Sequence, residues 1–269
     1  MKSDLLVTFV ETDTHSNQEE DLLESLAKHN IPYVAFGKGR EWKAFSDKFF
    51  YFREGIKKLN PTQKYIIFVD SRDVIFYRGV DEILEKIETH YPNLQVLFNG
   101  ETNCYPDKLI ADKYPNQNKK YKYLNSGMMI ARTDFILNPR NYIEDVADYF
   151  LTDYNKKWSN KISPRDISDQ RVWTQIFLDC VEKYGNDSPV GIDYDCHIFQ
   201  CLWDEDGGRS ANFDIVYNEN NIYNKLTNTE PCIFHAPGPT CTLSQVKKAI
   251  NGKWKQYYWN YLSSKNNFF

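Results

Sequence analysis

No stretch of the 269 residues comes near the 18 or so apolar positions that a membrane-spanning helix needs, and no long run of lysine or arginine is present. With a formal charge of −4 the chain lacks the basic footprint of a nucleic-acid binder. Neither nucleic acid nor a bilayer is expected as a partner. The N-terminal apolar run, Leu5–Val10, spans only six residues, too short for the core of a secretion signal, and reads instead as a first buried strand. No export signal is expected in this chain. Its six cysteines, Cys104, Cys180, Cys196, Cys201, Cys232 and Cys241, form no C-x-x-C pair, which argues against a zinc site and a disulfide scaffold and leaves the redox compartment open. Internal repeats and low-complexity linkers are absent too. The triplet Asn186-Asp187-Ser188 has the form of a glycosylation acceptor, a pattern frequent enough by chance to carry little weight.

What is there is a globular composition, 41% apolar and 16% aromatic, in a length suited to one compact domain. Strand and helix signals alternate through residue 99. Leu5–Val10 precedes a helix opened by Ser16 and Glu19 as a capping box and continued by "LLESLAKH". Pro32–Phe36 reads as a strand, Phe45–Leu59 as a helix stopped by Pro61, Tyr65–Val69 as a strand, Asp81–His90 as a helix and Gln95–Phe98 as a strand. This alternation predicts an α/β fold: a mostly parallel sheet, helices on both faces, and ligands beyond the carboxyl ends of the strands. Residues 100–124 are polar, aromatic and punctuated by proline, and predict a long functional loop. "SGMMIAR" then predicts a strand, Tyr142–Tyr149 and Gln170–Tyr184 helices, 218–229 an Asn-rich loop, and Pro231–Phe234 a last strand ending at His235.

The stretch "KYIIFVDSRDVIFYRG" carries the first chemistry. Five apolar or aromatic residues run into Asp70, and Asp73 interrupts an apolar run that resumes with "VIFY". A lone D-x-x-D is often only a capped turn with an exposed carboxylate. Here a carboxylate set among apolar residues needs a metal or a donor, and oxygen ligands suit Mg²⁺ or Mn²⁺ better than zinc.

Further stretches then fall into a pattern. "FVDSRDVI" resembles a metal motif, "LFNGETNCYPD" an F-S-A-E-x-x-C-W-P segment, and "KYLNSGMMIA" an L-N-S-G-G-F-I-G segment. "DISDQRVWTQIFLD" resembles an acidic D-D-Q-L-F-Y-T run, "IDYDCHIFQCL" a D-x-x-x-x-I-F-Q-x-L segment, and "HAPGPT" an H-G-N-G-P-T segment. In this order, and over nearly the whole chain, they resemble the glycosyltransferase domain of the multifunctional procollagen lysyl hydroxylases. That domain transfers glucose from UDP-glucose to galactosyl-hydroxylysine in collagen. The resemblance implies a GT-A type, Rossmann-like fold in a single domain, with a nucleotide-binding half over 1–99 and an acceptor-side half, carrying the metal histidine, over 100–269.

Carried over residue by residue, the resemblance implies Asp70, Asp73 and His235 as ligands of Mn²⁺, with Mg²⁺ as the alternative. Lys48 and Trp42 would belong to the donor site; their plainer readings are a solvated helix lysine and a half-buried core tryptophan. Glu11 and Thr12 follow the first strand, where backbone groups could hold the uracil. Ser71, Arg72, Tyr105, Gln170 and Gly238 complete the expected donor site. Glu101, Asn125 and Ser126 would line the sugar side, since sugar hydroxyls need paired donors and acceptors; Asn125-Ser126-Gly127 also reads as a plain turn. For the catalytic carboxylate Asp169 comes first and Glu101 second, and Asp169 as a helix N-cap is a complete structural reading by itself. Tyr105 and the segment 100–124 are expected to cover the sugar.

Three departures from the pattern touch the donor: Tyr105 stands for a tryptophan, Arg72 for an aromatic residue and Cys241 for a lysine. Arg72 or Lys48 is the expected substitute for that lost cation. The implied partners are a UDP-sugar and a collagen or collagen-like acceptor polypeptide, and a homodimer is an arrangement the reading permits. The implied compartment is the endoplasmic reticulum of the family, or the cytoplasm for a stand-alone enzyme. A hydroxylysine galactosyltransferase using UDP-galactose is the nearest alternative. Two other classes remain, a metal-dependent phosphohydrolase and a carbohydrate-binding module, the latter suggested by 19 tyrosines and 6 tryptophans.

Overall fold

The computed structural model describes residues 3–15, 19–116, 118–138, 143, 145, 147–148, 168–203, 214–217, 221–237, 243 and 246–247. Ser16 of the expected capping box, Gly238, Cys241 and half of the helix expected over 142–149 lie outside them.

Six strands form the main sheet: β1 (Leu5–Val10), β2 (Tyr33–Phe36), β3 (Tyr65–Asp70), β5 (Val96–Glu101), β6 (Tyr123–Arg132) and β7 (Val190–Asp193), in the order β2-β1-β3-β6-β5-β7. β1 runs parallel to β2 and β3, and β5 parallel to β7, while β6 is antiparallel to both its neighbours, β3 and β5. Alternation along β3 decides what each face meets. Ile66 and Phe68 pack beneath α2 (Ser46–Leu59) and the later helix Asp169–Tyr184, against Phe49, Phe52, Ile56, Trp173 and Phe177. Tyr65, Ile67 and Val69 face the other way, towards Leu22 and Leu26 of α1 (Glu20–Lys28) and Ile83 and Ile87 of α3 (Val80–His90). Each such side chain, fully buried, contributes about 1.5–3 kcal/mol. Helix α4 (Thr133–Ile136) is one turn after β6, and the helix Asp169–Tyr184 is α5.

A second sheet positions the chemistry. It comprises β4 (Val74–Phe76), β11 (Ile233–His235) and β8 (Phe199–Cys201), with β11 in the middle, antiparallel to β4 and parallel to β8. The chain leaves the main sheet at Asp70 and enters the second at Val74. The D-x-x-D therefore spans the step between sheets. A hairpin, β9 (Ile215–Tyr217) and β10 (Ile222–Asn224), completes the strands among the described residues.

Several expectations need correction. The segment 100–124 is not one polar loop: β5 continues through Glu101, Lys108–Lys113 is a 3-10 turn, and β6 starts at Tyr123. Tyr114 and Tyr121 are buried, and the Tyr114 hydroxyl lies 3.1 Å from Thr174 Oγ1. The loop expected over 218–229 contains β10. Asp193, in the "IDYDCHIFQCL" stretch, is structural: its carboxylate accepts the backbone N–H groups of His197, Ile198 and Phe199 at 2.8–2.9 Å and the Tyr91 hydroxyl at 2.5 Å. It folds the link from β7 to β8, and Gln200 next along bonds Asn224 at 2.8 Å.

Candidate active site

Asp70 ends β3, Asp73 immediately precedes β4, and His235 ends β11 opposite Val74 and Cys201. His235 Nε2 lies 3.5 Å from Asp70 Oδ2 and 3.4 Å from Asp73 Oδ1, and one ligand atom from each of the three falls within 4.8 Å of the others. The sequence could pair the aspartates; only strand pairing brings the histidine to them. Gly127 makes room for it, since a Cβ there would sit 2.0 Å from His235 Cε1.

The residues fit a divalent cation. Asp73 Oδ1 and both ring nitrogens of His235 are buried without a hydrogen bond of normal geometry. Buried polar atoms are rarely left so, and a cation held by these two carboxylates and the imidazole would satisfy Asp73 Oδ1 and His235 Nε2, the ring nitrogen that faces the aspartates. An oxygen-rich set of this kind suits Mn²⁺ or Mg²⁺. Burial disfavours the imidazolium, yet Asp73 and Asp70 outweigh it and raise the His235 pKa well above its ordinary value. Burial likewise opposes ionisation of Asp70, but Lys48 and His235 hold its carboxyl far below the usual range.

Lys48, on the inward face of α2, is buried. Its Nζ lies 2.7 Å from Asp70 Oδ1 and 3.0 Å from Asp169 Oδ2. The reading as a solvated helix lysine is therefore wrong. Desolvation works against its charge, and Asp169 and Asp70 more than compensate, so the ammonium is retained. Asp169 is not the N-cap: Ser168 is, its Oγ accepting from Gln170 N at 3.2 Å, and Asp169 is left to turn its buried carboxylate to Lys48.

Gln170 ties the sugar side together. Its Nε2 donates to Glu101 Oε1 at 2.6 Å and to the Tyr105 carbonyl at 3.0 Å, and its Oε1 accepts from Ser126 N at 3.2 Å. Asn125 and Ser126 lie within β6, not in a turn, where the pairing with β5 shifts register at Phe98/Asn99. Such irregularities re-aim side chains near functional sites. Asn125 Oδ1 accepts from Gly127 N at 2.9 Å.

Two adjoining cavities of about 380 and 370 Å³ meet over the aspartates and share Phe45, Lys48, Asp70 and Asp73. Glu11, Thr12, Trp42, Ser71 and Arg72 line the first. Glu101, Tyr105, Asn125, Ser126, Asp169 and Gln170 line the second, with His235. Trp42 is 43% exposed as a cavity wall, which corrects the reading as a core tryptophan. Sequence reasoning missed Phe45, Asn103, Trp203 and Pro237, which also line the second cavity. Pro237 sits in the "HAPGPT" stretch and Asn103 in "LFNGETNCYPD", and both were there to be found; Phe45 and Trp203 carry no motif signal. The Glu11 side chain accepts from Ser71 Oγ at 3.1 Å and from Arg72 Nε and Nη2 at 3.0 and 2.9 Å.

Glu101 is buried and has no cation in direct contact among the bonds described above; desolvation, against weaker help from Gln170, pushes its carboxyl up to about 8 from 4.5. The unfolded chain loses this proton near 4.5 while the folded chain keeps it, so stability is full below that pH and falls as pH rises towards 8. In metal-free protein Glu101→Gln should remove that fall. Its stability, read from melting curves, is expected to gain on the parent's steadily between pH 5 and pH 8, at up to about 1.4 kcal/mol per pH unit. Parallel melting curves across that range would show that Glu101 is ionised when buried.

The family comparison now has its geometric setting. A profile of the PLOD GT domain matches residues 1–258. The chain belongs to the PLOD GT domain family. An uncharacterized protein of Acanthamoeba polyphaga mimivirus is 28% identical over 234 residues, covering 83% of this chain and 42% of that protein. The multifunctional procollagen lysine hydroxylase and glycosyltransferase of Caenorhabditis elegans is 27% identical over 267 residues, covering 93% of this chain and 33% of that protein. This PLOD GT domain thus spans 33–42% of the length of these two relatives. Among solved structures, the galactosyltransferase LgtC in complex with donor and acceptor sugar analogues superposes with a TM-score of 0.51 at 10% identity, over 95% of this chain and 99% of that one. That likeness shows the fold, which is of the GT-A type. Among the described residues, no helix of this PLOD GT domain is long and apolar enough to cross a membrane.

Proposed function

We propose that this PLOD GT domain is a metal-dependent glycosyltransferase that moves glucose from UDP-glucose to galactosyl-hydroxylysine of a collagen or collagen-like polypeptide, with retention at the anomeric carbon. The observation that carries the reading is the Asp70, Asp73 and His235 cluster, with its unpartnered buried atoms, at the seam of two cavities. Both cavities, about 380 and 370 Å³, have the size of small-ligand sites, and the nucleoside is assigned to the first and the sugar to the second. Residues 1–99 supply most of the nucleotide side and 100–269 the acceptor side.

Asp70, Asp73 and His235 would hold Mn²⁺, or Mg²⁺, which when bound neutralises charge on the departing diphosphate. Lys48 keeps a fixed positive charge beside Asp70 and pairs with Asp169 at the edge of the sugar cavity, opposing the burial that raises that carboxyl's pKa. Asp169 is the carboxylate best placed to steady positive charge developing on the sugar. Gln170 fixes Glu101 and the Tyr105 backbone, while Asn125 and Ser126 offer polar groups to sugar hydroxyls. Tyr105, 49% exposed at the cavity wall, is the residue available to exclude water from the sugar.

The test is a matrix of UDP-glucose and UDP-galactose against galactosyl-hydroxylysine and hydroxylysine peptides with Mn²⁺, scored for UDP release and product mass. UDP-glucose with the galactosylated peptide is expected to dominate. Transfer of galactose to bare hydroxylysine would replace this reading with the neighbouring one. UDP binding with no transfer to either peptide would make the protein a sugar-nucleotide binding module, and nucleotide cleavage without acceptor a phosphohydrolase.

A further inference from the structure

We propose that Asn103 and Trp203, at the mouth of the second cavity, form a subsite for the galactose of the acceptor and so set the preference for a galactosylated over a bare hydroxylysine. The inference rests on the glycosyltransferase reading above.

The second cavity has a floor and a rim. Glu101, Asn125, Ser126, Asp169, Gln170 and His235 are buried, whereas Asn103 and Trp203 are half-buried and Tyr105 is exposed. A sugar diphosphate at the seam over Asp70 and Asp73 would put its sugar on the buried floor, which leaves the rim to the molecule that arrives from solvent to attack it. Two strand exits build that rim. β5 ends at Glu101, and Asn103 lies two residues on; β8 ends at Cys201, the strand partner of His235, and Trp203 lies two residues on. Leu202 N donates to the His235 carbonyl at 2.8 Å and Thr102 Oγ1 to the Trp203 carbonyl at 3.2 Å. The two exits are thus tied to each other and to the histidine of the candidate metal site.

The side chains at these exits are unpartnered. Among the described residues Trp203 belongs to none of the three core clusters and pairs with no other ring, and neither its indole N–H nor the Asn103 amide has a hydrogen-bond partner. A tryptophan withdrawn from solvent usually finds both packing and a bond for its N–H. This one lines a cavity instead. Galactose supplies what is missing: its axial 4-hydroxyl leaves the C3, C4 and C5 hydrogens together on one apolar face that an indole can cover. Its remaining hydroxyls call for a group that both donates and accepts, as an amide does. Bare hydroxylysine, an amine and one hydroxyl on a flexible chain, offers no such face.

Steady-state kinetics with UDP-glucose, Mn²⁺ and a galactosyl-hydroxylysine peptide test the assignment. Trp203→Ala should raise the acceptor KM about tenfold, the scale of one apolar ring face returned to water, and keep the UDP-glucose KM within about twofold of the parent's. Trp203→Phe keeps a ring and should hold the acceptor KM within about threefold. Asn103→Ala should raise the acceptor KM about fivefold, and if Trp203→Ala fails to fold this variant and Trp203→Phe still decide. Methyl β-galactoside should compete with the acceptor peptide on the parent better than methyl β-glucoside does, and should lose that advantage in Trp203→Ala. A parental acceptor KM in Trp203→Ala or in Asn103→Ala overturns the proposal, as do equal inhibition of the parent by the two glycosides and a UDP-glucose KM that rises along with the acceptor KM. In each of those cases the parent still transfers glucose and the function proposed above stands. A parent that transfers no glucose to the galactosylated peptide fails that function, and this inference with it.

Discussion

Asp70→Asn and His235→Ala are each expected to lower Mn²⁺-dependent UDP release at least a thousandfold while leaving a folded protein, if the metal supplies the several kcal/mol of charge stabilisation usual for such sites. Asp70 is half-buried at a strand end, and its replacement leaves Lys48 still paired with Asp169. His235 is buried, but it packs at the end of a three-residue strand whose neighbours, Val74 and Cys201, keep their backbone partners. Circular dichroism and calorimetric Mn²⁺ titration separate loss of the ion from loss of the fold. Near-normal turnover in either variant would remove that residue from the metal site.

Lys48→Met carries the largest expected cost in stability. It removes the ammonium that lies between Asp70 and the buried Asp169, and breaking a buried charge cluster from one side costs about 3–5 kcal/mol. The loss should be read by denaturant titration of metal-free protein. Burial already raises the Asp169 pKa and Lys48 is the largest force lowering it, so in the variant its carboxyl rises further. A raised carboxyl favours the folded state as pH falls, and part of the lost stability is expected to return on acidification. Mn²⁺ should restore another part by taking over Asp70. A variant as stable as the parent at neutral pH would mean that the ammonium and the carboxylates are separately solvated.

Much of the first half of the fold was legible. Leu5–Val10, Tyr65–Val69, Phe45–Leu59 and Asp81–His90 announce themselves by apolar runs or helical spacing, which survive burial because the sheet and helices each meet one environment per face. Pairing direction does not leave such a trace, and nothing in "SGMMIAR" says that β6 runs against β3 and β5. β4, β8 and β10 are three residues each, too short for alternation to register. At the site, Asp70 and Asp73 stood out because they interrupt apolar runs. His235 entered only through family resemblance, since its role depends on a strand partner far along the chain. The Glu11–Arg72 clamp and the Gln170 cross-link were invisible for the same reason. Lys48 was half legible: its place on a helix was clear, its burial between two carboxylates was not.

The central position of β11 in the small sheet has a consequence for how the protein is made. As the chain leaves the ribosome, β1, β3 and β5 emerge early, and Asp70 and Asp73 emerge with them. The slot between β4 and β8 stays empty until His235 has been synthesised, because β11 is the strand that fills it. Domains begin to fold from the N-terminal side during synthesis. A nascent chain can therefore own both aspartates and a nearly complete main sheet and still lack the imidazole that completes the candidate metal site. Translation that stops anywhere before residue 233 yields a polypeptide without that imidazole, and so without the third member of the Asp70, Asp73 and His235 cluster.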